Sequence, residues 1–160
     1  MTNLIQELIQ MPIPLPEEFV SKRANCFNAI QLYWGDCQEA EFTGPEEFVS
    51  FVCKYFKQSA VEEVSEAQDL IIVWSRSSAY LPLGEIVVHQ LQKEKKGYPF
   101  GLVIEHAFIF LDSKTKMVFQ KRDPSRMGPY EVVREQEALS PYQKLFGYEI
   151  TRHQRKENTR

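Results

Sequence analysis

The feature that most constrains this chain is a change of hydrophobic period part-way along it. Up to residue 57 the apolar residues recur at helical spacing; from residue 69 they fall into short, β-branched runs. Helices first and strands second implies an α+β domain, with N-terminal helices packed on a mostly antiparallel sheet, rather than alternating βαβ units.

The local signals fill in that outline. Leu4, Ile5, Leu8 and Ile9 pattern residues 2–10 as a short amphipathic helix, stopped by Pro12 and Pro14. Pro16-Glu-Glu-Phe-Val reads as the first turn of a second helix, with its acids at the positive end. A third helix begins around Asn25 or Cys26, carries its apolar face on Ala29, Ile30, Leu32, Tyr33 and Trp34, and ends at Gly35. Thr43-Gly-Pro-Glu-Glu opens a fourth, whose apolar spacing from Phe48 to Phe56 carries it through Lys57. Asp69 to Arg76 is a buried strand. Ile104 to Leu111 and Met117 to Lys121 form a hairpin across Asp-Ser-Lys-Thr-Lys, and Tyr130 to Arg134 and Tyr148 to Arg152 are further strands. Residues 77–103 are read as an insertion capping one end of the sheet.

A chain of 160 residues makes one domain, 1–160, able to bury roughly two-thirds of its unfolded surface. With 43% hydrophobic residues it builds a core without disulfide or metal. The net charge of −3 gives no broad field for nucleic acid, and the one basic stretch, 152–160, is expected to be a solvated tail that includes His153. No stretch reaches the roughly 18 apolar residues of a membrane span, and the N-terminus has no signal-peptide pattern. A soluble, cytoplasmic protein is expected, with export as the alternative. Cys26, Cys37 and Cys53 are odd in number and spaced for neither zinc nor a disulfide scaffold, so no metal or other cofactor is expected.

Two residues carry the chemistry. A thiol at the head of a helix, as Cys26 is, feels the positive end of the dipole, and Lys22 and Arg23 add to it; both favour thiolate. Cys37 and Cys53 read as small buried hydrophobes. His106 opens an apolar strand and shares a face with Phe108 and Phe110, opposite Ala107, Ile109 and Leu111. Gln120, across the hairpin, can accept from one imidazole nitrogen, fixing the tautomer and leaving the other for the thiol. His89 is an alternative base. Asp123, Arg126 and Tyr130 can line a cleft, with Arg126 taking a substrate carboxylate.

Asn25-Cys26-Phe27-Asn28 at a helix head, the strand Asp69-Leu-Ile-Ile-Val, then His106-Ala-Phe-Ile-Phe-Leu-Asp112 and Met117-Val-Phe-Gln120 together resemble the NlpC-type papain-like cysteine peptidases across residues 20–122. Those residues stand where the family has Asp-Cys-Ser-Gly, Gly-Asp-Leu-Val, His-Val-Gly-Ile-Tyr-Leu-Gly and an apolar-apolar-His stretch. The resemblance implies a metal-free peptidase or amidase acting on peptide or muropeptide-like substrates, chiefly peptidoglycan stem peptides. It makes Cys26 the nucleophile, His106 the base and Gln120 the orienting residue, with Lys121 the other candidate for that third position. Asn25, Arg126 and Tyr130 are the expected substrate-binding residues. The Ser-Gly after the cysteine is absent, as is any tyrosine before it. Two alternatives stand beside hydrolysis: an acyl or amide transferase using the same thiol, and a non-catalytic binding module with Cys26 merely buried.

Overall fold

The computed structural model describes residues 2–59, 70–75, 103–112, 114–122, 128–144 and 148–156. Four helices come first: α1 (Asn3–Ile9), α2 (Glu17–Ser21), α3 (Cys26–Trp34) and α4 (Pro45–Tyr55). Strands β1 (Phe56–Ser59), β2 (Leu70–Ser75), β3 (Val103–Asp112), β4 (Met117–Lys121) and β5 (Tyr130–Arg134) follow. A short helix α5 (Glu135–Leu139), a 3₁₀ turn (Tyr142–Lys144) and β6 (Glu149–Arg155) complete the order. The strands make one antiparallel sheet in the order β1-β6-β2-β3-β4-β5. The expected α+β class, helices on an antiparallel sheet, is what the chain adopts.

The third helix shows how sequence sets the geometry. Asn25 sits in extended backbone and its Oδ1 accepts from the Asn28 N–H at 3.1 Å, capping α3; Gly35, at φ 89°, ends it in the left-handed conformation that glycine tolerates. Helices of nine and eleven residues are marginal alone, so packing must hold them. All of α3 except Tyr33 is buried. One side lies on β3 and β4, with Tyr33 stacked on Phe119 at 5.5 Å. Its polar side ties down residues 36–44: Asn28 accepts from the Glu41 N–H and donates to the Glu39 carbonyl, and Thr43 Oγ1 donates to Gln31 Oε1 at 2.6 Å.

The sheet separates two apolar layers. Leu70, Ile72, Trp74, Ile104, Ala107, Ile109 and Phe119 face the α1–α4 layer. Ile71, Val73, Phe108, Phe110 and Val118 face Ala138 and Leu139 of α5 and Tyr142. A bulge keeps β3 in phase: Val73 pairs with His106 but Trp74 pairs with Ile104, so Glu105 is the extra residue.

Two expectations are corrected here. The fourth helix stops at Tyr55, and Phe56 starts a strand that pairs with β6; Phe56 is buried in the helix-side layer, as helical spacing also required, so the apolar pattern did not mark the break. The larger correction concerns 152–160. Residues 152–155 are no solvated tail but part of β6, inserted between β1 and β2. His153 is fully buried, with Nε2 2.8 Å from Thr151 Oγ1, which also accepts from Trp74 Nε1 at 2.8 Å. Lys156 donates to the Cys53 carbonyl and Arg152 pairs with Glu135. Of the expected insertion 77–103, only Val103, the first residue of β3, falls among the described residues.

Candidate functional site

Cys26 is the first residue of α3, as the helix-start signals require, and it is buried at 4% exposure in the layer between α3, α4 and the sheet. None of the three cysteines is in a disulfide. Asn25, expected to bind substrate, is instead engaged structurally. Its Oδ1 accepts from the N–H groups of Asn28 and Thr43, and its Nδ2 donates to the Thr43 carbonyl at 2.8 Å. Burial is also what governs Cys37, whose thiol is pushed up to about 11 with help from Glu41 and Asp36, away from nucleophilic chemistry.

His106 lies on the other face. Its ring stacks on Tyr142, centroids 5.1 Å apart, and lies 5.9 Å from the Phe108 ring; both partners belong to the α5-side layer. Nε2 meets Gln120 Oε1 at 2.6 Å. Gln120 in turn donates to Glu131 Oε1 at 2.9 Å, and Arg122 clamps that carboxylate with Nε at 3.0 Å and Nη2 at 2.6 Å. A carboxylate only accepts, so the Gln120 amide must turn its nitrogen to Glu131 and its oxygen to His106. Nε2 therefore carries the imidazole proton, and Nδ1 is a buried acceptor with no hydrogen-bond partner. Burial holds His106 down to about 4, against the opposing pull of Gln120 and the Glu131 carboxylate.

The expected pair of Gln120 with His106 is thus present, and the expected pair of His106 with Cys26 is not. The two-residue period placed His106 with Phe108 and Phe110; tertiary packing puts α3 on the opposite face, against Ala107 and Ile109. The sheet stands between thiol and imidazole. Gln120, not Lys121, is the imidazole's neighbour; Lys121 is buried on the helix side, its ammonium 5.8 Å from the Tyr130 ring centre. Tyr130 does not line a cleft. It is 1% exposed, its ring stacks on Phe119, and its buried hydroxyl has no hydrogen-bond partner, so burial raises its pKa. Arg126, Asp123 and His89 lie outside the described residues.

One open groove appears where the sequence reading proposed nothing. It has a volume of about 420 Å³ and is lined by Lys114, Lys116, Arg134, Glu135, Leu139 and Arg152, among others. The Lys-Thr-Lys turn was a visible signal; Arg134 and Arg152 join it only through the sheet. Among the described residues no three His, Cys, Asp or Glu side chains are grouped to hold a metal, and no helix is long and apolar enough to cross a membrane. Comparison with protein-family models, with curated proteins and with solved structures finds no match.

Proposed function

We propose that this domain is a non-catalytic binding module, built on a scaffold that resembles the NlpC-type peptidases but sets Cys26 and His106 apart. The observation that carries this is the placement of Cys26 and His106 in separate apolar layers on opposite faces of one sheet. Thiol acyl transfer needs the base within hydrogen-bond reach of the sulfur, about 3 Å. Peptidase, amidase and transferase share that requirement, so one geometric fact weighs against all three with His106 as the base. The His106–Gln120 pair on adjacent strands supports descent from the family's architecture; with the imidazole sealed under Tyr142, that pair works as a buried polar brace instead.

Iodoacetamide labelling of the full chain near neutral pH, mapped by mass spectrometry, tests this. Cys26, being buried, should label no faster than half-buried Cys53, and His106→Gln should leave the Cys26 rate unchanged. Selective alkylation of Cys26 that His106→Gln suppresses, in a variant with native circular dichroism, would restore the hydrolase reading.

A further inference from the structure

The groove on the α5 side is charged against the trend of the chain. The whole molecule has a net charge of −3, yet four of the groove's side chains are cations, Lys114, Lys116, Arg134 and Arg152, and one is a carboxylate, Glu135. Glu135 is already matched: Arg152 Nη2 pairs with its Oε1 at the groove floor, where the two side chains are only 12% and 9% exposed. Lys114, Lys116 and Arg134 are exposed at the rim and make no ion pair among the described residues. Asp112 feels the charge of Lys114, but its carboxylate is held by its own turn, accepting from the Lys114 N–H and the Thr115 hydroxyl at 3.0 Å each.

The floor adds a second observation. The Arg152 guanidinium lies 5.7 Å from the centre of the Phe110 ring, and its Nε and Nη1 are buried with no hydrogen-bond partner. Two buried N–H groups without an acceptor are costly. Fixed backbone holds the rim cations in place. The Glu135 N–H donates to the Lys116 carbonyl at 2.9 Å, tying the hairpin turn to the β5–α5 junction, and Lys116 sits at φ 56° within that turn. Three cations therefore converge over the Arg152–Glu135 pair across a space of ligand size.

We infer that this groove binds a phosphoryl group carried on a small ligand or headgroup, with Lys114, Lys116 and Arg134 contacting the oxygens above the Arg152–Glu135 pair. A phosphate monoester or diphosphate fits better than a single carboxylate because it brings nearly two charges and three acceptor oxygens to three separated donors. This inference rests on the binding-module reading and names its ligand class.

The test is titration of the full chain with inorganic pyrophosphate by calorimetry and amide NMR at low salt, alongside co-sedimentation with phosphatidic acid vesicles. Arg134→Gln and Lys116→Asn, the latter chosen because asparagine tolerates a positive φ, should each weaken binding about fivefold, consistent with partly exposed charge contacts. Lys54→Gln, an exposed cation on α4 in the layer on the other face of the sheet, should not. Pyrophosphate binding with that pattern supports a free ligand; vesicle binding alone with that pattern supports a lipid headgroup. Absence of both, or losses equal across the three variants, overturns the assignment. The outcome is separable from the thiol test: a reactive Cys26 would end the non-catalytic reading whatever the groove binds, and an inert Cys26 with an empty groove would end this inference alone.

Discussion

His106 gives the domain a stability that should depend on pH in a calculable way. The imidazole is fully buried, and burial lowers its folded pKa to about 4 from an ordinary 6.5. The unfolded chain therefore takes up a proton near pH 6.5 that the folded chain refuses until about pH 4. Protonation draws the equilibrium toward the unfolded state across that window, so stability falls as pH drops from 6.5 and levels off below 4. At about 1.36 kcal/mol per pKa unit the total is on the order of 3 kcal/mol, with about 2 to 3 kcal/mol gone by pH 4.5. That is a large part of a typical domain's roughly 5–15 kcal/mol. Urea unfolding of the wild type and of His106→Gln at pH 7.5 and pH 4.5 isolates the effect, because the carboxylates and the other two histidines are common to both. The wild type should lose about 2 kcal/mol more than the variant. Parallel losses, or an NMR titration of His106 near 6.5, would refute the burial argument.

Two further outcomes follow from other parts of the fold. Asn28→Ala removes a fully buried amide that accepts from the Glu41 N–H and donates to the Glu39 carbonyl and Cys37 Sγ; it should cost about 2–4 kcal/mol by urea unfolding, and a change under about 0.5 kcal/mol would contradict its anchoring of residues 36–44. Deleting residues 149–160 removes the strand between β1 and β2 and the Thr151 acceptor of Trp74; the product should lack a cooperative urea transition, and native circular dichroism with a sharp transition would refute the central placing of β6.

Local structure was legible where a residue type does one thing. Asn25 before Cys26 and Gly35 after Trp34 bracket α3 because a side-chain acceptor and a left-handed residue are what helix ends need. The alternation around His106 was legible for the same reason, as was Gln120 across the hairpin: both follow from a strand's period and a short turn. The tail was not. Arg152, His153 and Arg155 look solvated by composition, and only the pairing of 149–155 with two other strands shows that long cationic side chains and a buried imidazole belong inside a sheet. The candidate thiol site failed on a different point. Chain order and spacing resemble those of a peptidase, but they carry no record of which face of the sheet the helix covers.

By itself the sequence determined the class of fold, the ends of the third helix, and which side chains on β3 share a face. Those are short-range matters, set by backbone period and by the chemistry of caps and turns. The tertiary structure alone decided that Cys26 and His106 lie on opposite faces of the sheet, that β6 is an interior strand, and that Lys114, Lys116, Arg134 and Arg152 surround one groove. The physical reason is that a sheet has two faces and two edges: alternation says which residues go together, while burying the largest apolar area decides which helix covers them and where the last strand inserts.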